Sequence, residues 1–205
     1  MQLFYNPHLI VNTAEVVFDK LESGHIVKVL RKRIGDILHI TNGTGVMFKA
    51  QIHAADAKKC TASIIEVNTI KKPWPYKLHM AVAPTKSNDR FEWFLEKATE
   101  IGVDEITPIF CDRSERKVIK QERLEKIIHA ACKQSLKYHF PKINKAVSFS
   151  DFIRIERAGS CLLAHCDNSP RSPLKSILEN ESIYTVLIGP EGDFSRREIE
   201  QSLQR

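Results

Sequence analysis

The sequence predicts an α/β protein in two parts. Residues 1–70 form a small β-barrel, and residues 71–205 form a mostly parallel sheet with helices on both faces. Three observations carry this prediction. Short β-rich runs separated by turn residues fill the first third of the chain. Lys71-Lys72-Pro73-Trp74-Pro75 then breaks the pattern, because two prolines disfavour both a helix and a central strand. Beyond that break, apolar runs alternate with helical periodicities in βαβα order, which calls for parallel strands.

In the first part, Gly35-Asp36 leads into the strand Ile37-Leu38-His39-Ile40. Asn42-Gly43-Thr44-Gly45 has hairpin-turn composition and precedes Val46-Met47-Phe48, and Ala62 to Val67 is a further strand. Ahead of them, His25 to Arg33 has helical spacing, with Ile26, Val29 and Leu30 facing inward and Lys28, Arg31, Lys32 and Arg33 in water. Those cations are either an ordinary solvated face or a set of phosphate contacts.

The second part opens with the strand Leu78 to Val82 and a helix capped by Asn88 or Asp89. Its apolar stripe is Phe91, Phe94, Leu95, Ala98 and Ile101, and it ends at Gly102. Ile106 to Phe110 is the next strand, followed by the charged loop Arg113 to Lys117 and a basic helix from Gln121 to Lys137. Leu124, Ile127, Ile128 and Ala131 make that helix's apolar stripe, with Lys133 and Lys137 among its cations. Pro141 ends the region. Ser160 to Cys166 reads as a buried strand, Ser172-Pro173-Leu174 opens a short helix, and Ile183 to Ile188 is the last strand.

Val186 to Glu198 concentrates the candidate chemistry. Gly189-Pro190-Glu191-Gly192 cannot prolong the strand before it, and Ser195 with Glu198 three residues on forms a capping box. A strand, a glycine turn and a capped helix either bring backbone against a small ligand or simply turn the chain. Lys86, Arg113, His165 and Glu191 each follow a strand, so a parallel sheet gathers them at one edge.

Charge points to an anionic partner. The chain carries 31 Lys and Arg against 25 Asp and Glu, a formal +6. Residues 113–145 hold ten Lys and Arg against three Glu, whereas residues 146–205 hold seven against nine acids. The five cysteines are odd in number and include no CxxC, which fits reduced thiols in a cytoplasmic protein. Cys161, His165 and Cys166 lie close together, but their spacing matches no zinc pattern, so no metal is expected. No apolar run reaches the ~20 residues of a membrane span. A nucleotide hydrolase is disfavoured because no GxxxxGK[ST] occurs.

Five stretches resemble the RsmE-type small-subunit ribosomal RNA methyltransferases of the SPOUT superfamily. They are HIVKVLRKRIGD (25–36), ITNGTG (40–45), KSNDRFEWFLEKATEIGVDEITPI (86–109), RSERK (113–117) and IGPEGDFSRRE (188–198), with Lys133-Gln134-Ser135 on the basic helix. The resemblance implies a PUA-like β-barrel that holds RNA, then a trefoil-knotted α/β domain that binds S-adenosylmethionine. It implies methylation of N3 of one uridine in 16S ribosomal RNA of the 30S subunit, by a homodimer. Leu163, Ala164, His165, Ile188, Gly189, Pro190, Glu191 and Gly192 match its cofactor loops. Arg31, Lys86, Arg90, Arg113 and Arg116 match its RNA positions, and Lys28, Arg33 and Lys137 join them as neighbouring cations.

Glu191 has two readings: the base that removes the N3 proton, or a residue that orients its loop. Two departures stand out. Asp193 occupies a position where the family commonly has glycine. The family also continues past its last helix into a further strand and cofactor loop, so a chain ending at Arg205 is expected to bind the cofactor poorly. Competing functions are a non-catalytic RNA-binding factor and a ribose 2′-O-methyltransferase of the same superfamily.

Overall fold

Asn42-Gly43-Thr44-Gly45 reverses the chain between two antiparallel strands, as its composition predicts. The computed structural model describes residues 1–166, 173–178 and 182–204. They fall into two compact units: Met1–Pro73 with Cys132–Phe140, and Trp74–Ala131 with Pro141–Arg205. The recruitment of 132–140 into the first unit has no counterpart in the sequence pattern.

In the first unit, β1 (Leu3–Tyr5) and β2 (Glu15–Val17) precede α1 (Lys20–Gly24), a π-helical turn (His25–Val29), β3 (Ile37–Thr41), β4 (Val46–Ala54) and β5 (Thr61–Thr69). The sheet runs β1-β3-β4-β5-β2, parallel only between β1 and β3. Strand alternation turns Phe48, Ala50 and Ile52 of β4 inward, where they meet Phe4, Ile26, Leu38 and Ile40. Asp19 caps α1 by accepting the Glu22 N–H at 2.8 Å.

The stretch 25–33 is less helical than its spacing predicts. Leu30 N–H bonds the His25 carbonyl five residues back, and Arg31 then adopts φ 53°. The wider turn brings Val27 and Leu30 against the core beside Ile26 and leaves Val29 68% exposed, not inward. Arg31 and Arg33 therefore lie on irregular chain beyond the turn, both exposed.

The segment 132–140 is stitched to this unit by main-chain bonds. Gly45 N–H donates to the Tyr138 carbonyl, and Phe140 N–H to the Gly43 carbonyl, each at 2.8 Å. Phe140 stacks on Tyr5 at 4.4 Å between ring centroids. Gly45 sits at φ 91°, and a Cβ there would lie 2.3 Å from the His139 ring, so only glycine fits.

The second unit contains β6 (Lys77–Val82), α2 (Asn88–Ile101), β7 (Glu105–Phe110), the start of α3 (Gln121–Gln134), β8 (Lys142–Ile143), β9 (Val147–Ser148) and α4 (Phe149–Arg154). It continues with β10 (Ser160–Ala164), α5 (Leu174–Ile177), β11 (Ile183–Ile188) and α6 (Arg196–Leu203). Among the described residues the sheet runs β10-β11-β6-β7-β8, all parallel, with β9 also pairing β7.

Several local expectations change. Ser87, not Asn88 or Asp89, is the N-cap of α2. The inner face of α2 is Phe91, Leu95 and Thr99, while Ile101 is 76% exposed. At about 100° per residue, Ile101 falls on the far side of Phe91 from Leu95 and Thr99. Helix α3 stops at Gln134 instead of Lys137, and Leu136 takes φ 54°. Strand β10 is not buried. It forms a sheet edge, paired only with β11 among the described residues, and Cys161 and Ala164 are exposed. Ser172 lies outside the described residues, and α5 begins at Leu174 with Pro173 as its N-cap.

Candidate functional site

Register places the site. Ala164 of β10 pairs Ile188 of β11, which pairs Val82 of β6, which pairs Pro108 of β7. The carboxyl ends of these strands are thus nearly level, and the chain leaving each emerges at one edge, where open α/β sheets hold ligands. The turn after β11 occupies the middle of that edge. Gly189 allows it to fold tightly, since a Cβ there would stand 3.1 Å from the Phe194 ring. Phe194 is 2% exposed and packs on Phe149 at 5.4 Å, which anchors the turn in the core. The left-handed residue is Asp193, φ 63°, and neither Gly189 nor Gly192 adopts positive φ.

Three other strand exits are bonded to this turn. From β6, Lys86 N–H donates to Glu191 Oε1 at 3.0 Å, and Arg116 Nη2 donates to the Lys86 carbonyl at 3.2 Å. From β7, Arg113 Nη1 donates to the Gly192 carbonyl at 2.7 Å, and Asp112 N–H to Glu198 Oε1 at 2.9 Å. Asp112 also accepts the Ser195 hydroxyl and Arg197 Nη2, both at 2.6 Å. From β10, Cys166 N–H donates to Asp193 Oδ2 at 2.7 Å. The capping box of α6 forms as the S-x-x-E spacing predicts: Ser195 N–H donates to Glu198 Oε2 at 2.8 Å, and Ser195 Oγ accepts the Glu198 N–H.

Electrostatics follow from these bonds. Backbone N–H groups, its own and that of Lys86, hold the Glu191 carboxyl below the usual range, aided by the charges of Arg90 and Lys86. Asp112 is lowered chiefly by the Ser195 hydroxyl and then by Arg197. Burial, with Glu198 nearby, pushes the Cys111 thiol up to about 12, which leaves it inert as a nucleophile.

Of the residues singled out by sequence, Lys86, Arg90, Arg113, Arg116, Leu163, Ala164, His165 and 188–192 lie in the second unit, at or next to this edge. Lys28, Arg31, Arg33 and Lys137 belong to the first unit. Leu163, Ala164 and His165 open onto a hollow of about 930 Å³ that Val186, Leu187 and Ile199 also line. Lys86 and Arg116 border a second groove of about 560 Å³ with Lys117, Lys120, Arg123 and Glu92. Sequence reasoning missed the linking roles of Asp112 and Asp193 and the cations Lys117, Lys120 and Arg123 as one groove. The signals on offer were the position of Asp112, two residues beyond β7, and the departure of Asp193 from the family's common glycine.

The arrangement offers backbone groups, apolar surface and carboxylates to a small ligand, beside a cationic groove suited to a polyanion. Comparison with known proteins bears on both. A family model described as an RNA methyltransferase domain matches residues 72–205, and one described as an RNA methyltransferase PUA domain matches residues 19–65. The chain is 32% identical over 180 residues to ribosomal RNA small subunit methyltransferase E of Rickettsia conorii, covering 86% of this chain and 72% of that one. A probable rRNA methyltransferase structure from Porphyromonas gingivalis is 40% identical at a TM-score of 0.91, covering 100% of this chain and 86% of that one. The Legionella pneumophila protein Lpg2936, solved with bound S-adenosylmethionine, is 25% identical at a TM-score of 0.84, covering 98% of this chain and 85% of that one.

Proposed function

Because the chain belongs to the RNA methyltransferase family that includes ribosomal RNA small subunit methyltransferase E, we propose that it methylates N3 of a uridine in small-subunit ribosomal RNA, using S-adenosylmethionine. The observation that carries this reading is the turn after β11, bonded to the exits of β6, β7 and β10. Its residues fit the donor. Exposed Ala164 and Ile188 would offer apolar surface to its adenine ring, and the carboxylates of Glu191 and Asp193 would favour its positive sulfonium and ammonium groups.

S-adenosylmethionine supplies an activated methyl group, so the protein's tasks are alignment and generation of the nucleophile. Uridine N3 must lose its proton, which passes to solvent water, and a guanidinium such as that of Arg113 or Arg116 would stabilise the anion. The geometry favours the orienting role for Glu191. Its carboxylate already accepts the Lys86 N–H, and its lowered pKa makes it a weak proton acceptor. With a folded pKa below the unfolded value, the tie is intact above the ordinary carboxylate range and lost as pH falls through the lowered value. Affinity for S-adenosylmethionine is therefore expected to be flat from neutrality to about pH 5 and to weaken below about pH 4. Glu191→Gln should lose that acid limb while keeping its kcat near wild type at neutral pH. A large fall in kcat with unchanged Kd would instead make Glu191 the base.

The groove bordered by Lys86, Arg116, Lys117, Lys120 and Arg123 is the RNA contact we assign to the second unit. RNA affinity should fall steeply with salt. Lys117→Ala or Lys120→Ala should each reduce the slope of log K against log salt by about 1 and leave donor affinity alone. Arg113→Ala is expected to weaken both ligands, since Arg113 also holds the Gly192 carbonyl. Salt-independent RNA binding would defeat this assignment.

The decisive experiment incubates the protein with 30S subunits and labelled S-adenosylmethionine and maps the product by reverse transcription. N3 methylation blocks the pairing face and arrests the polymerase, whereas a ribose methyl leaves that face open. No incorporation would overturn the reading. The same family membership supports a trefoil knot in the second unit and a cytoplasmic homodimer; light scattering that gave a monomer mass would remove the dimer. Among the described residues no helix is long and apolar enough to cross a membrane.

A further inference from the structure

We propose that Asp193 is a positioning residue that sets the gap between the two loops expected to hold S-adenosylmethionine, a role that rests on the function proposed above. Asp193 adopts φ 63°, a conformation that non-glycine residues seldom take and Asp tolerates better than most. The side chain compensates for that conformation. Oδ1 accepts the N–H of Phe194 and Oδ2 accepts the N–H of Cys166, each at 2.7 Å. Phe194 is buried against Phe149, so one end of this clamp is fixed to the core. The other end holds the exit of β10, an edge strand with a ladder on only one side among the described residues.

The consequence is mechanical. Beyond the last paired residues, Ala164 and Ile188, nothing in the sheet ladder sets the distance from 165–166 to 189–192. The Asp193 carboxylate bridges that stretch with two charge-assisted bonds, stronger than neutral ones. Glycine at this position would accept the left-handed backbone without strain but could not reach Cys166. The two substitutions therefore separate conformation from clamping.

The test compares the wild-type chain with Asp193→Gly and Asp193→Asn. Asp193→Gly should melt only slightly lower than wild type, because relief of the left-handed backbone offsets part of the two lost bonds, yet bind S-adenosylmethionine about tenfold more weakly. Hydrogen exchange of residues 160–166 in the free protein should accelerate, while RNA affinity without donor stays unchanged. Asp193→Asn keeps an acceptor and the left-handed tolerance and should stay within about threefold of wild type in donor Kd. Asp193→Gly with wild-type exchange at 160–166 overturns the clamp, whatever the ligand. Faster exchange with unchanged donor Kd leaves the bond but overturns its role in binding. A full-length protein that retains no donor removes the function proposed above, and the exchange measurement still decides whether Asp193 holds the loop.

Discussion

Gly159→Ala is expected to unseat β10, costing at least about 3 kcal/mol of stability and more than about 100-fold in S-adenosylmethionine affinity. Gly159 has φ 80°, and a Cβ built on it would lie 2.1 Å from the Ile183 carbonyl oxygen and 2.7 Å from the Ile183 Cβ. The obstacle is main chain, so no rotamer change relieves it. The next residue, Ser160, begins the ladder with β11 opposite Tyr184. Separation at that point shifts Leu163, Ala164 and His165 together relative to Gly189–Gly192. Urea denaturation and calorimetric titration of the donor read the two effects. A variant with an unchanged urea midpoint would mean that the close approach at Gly159 is not required.

Glu198→Ala is expected to destabilise the second unit by about 3 kcal/mol, with loss of donor binding in proportion. Glu198 is 1% exposed, and its two oxygens accept different main-chain donors, Ser195 N–H and Asp112 N–H. Alanine leaves both donors without their acceptor and removes the residue that joins the start of α6 to the exit of β7. Glu198→Gln keeps one good acceptor and should lose roughly half as much. Chemical denaturation monitored by far-ultraviolet circular dichroism measures both. Equal stability of wild type and Glu198→Ala would show that water replaces the carboxylate at no cost.

The sequence announces these two residues very differently. The S-x-x-E spacing marks Glu198 as part of a helix start, because a capping box is a local device. Its second bond, to Asp112, is 86 positions away and leaves no local trace. The last strand was legible residue for residue, since Ile183 to Ile188 has a strand on each side and is apolar but for Thr185. Strand β10 has similar composition but lies at an edge, and its burial was overestimated; composition does not reveal a strand's neighbours. Around His25 the helical period was real, but a π-helical turn shifted its phase and turned Val29 outward. The gathering of Lys86, Arg113, His165 and Glu191 at one edge followed from the strands being parallel, whereas the bonds that hold the edge together did not. The cation groove lay hidden because Lys117, Lys120 and Arg123 read as ordinary charged loop and helix.

The return of residues 132–140 to the first unit has a consequence for how the protein is made. A ribosome extending this chain leaves the amino-terminal unit unfinished until Phe140 has emerged, for only then do the main-chain groups of Gly43 and Gly45 find Phe140 and Tyr138. The 58 residues Trp74–Ala131 of the second unit are synthesised before the first can close. Gene fusion at the proline break would likewise inherit a module without its final piece.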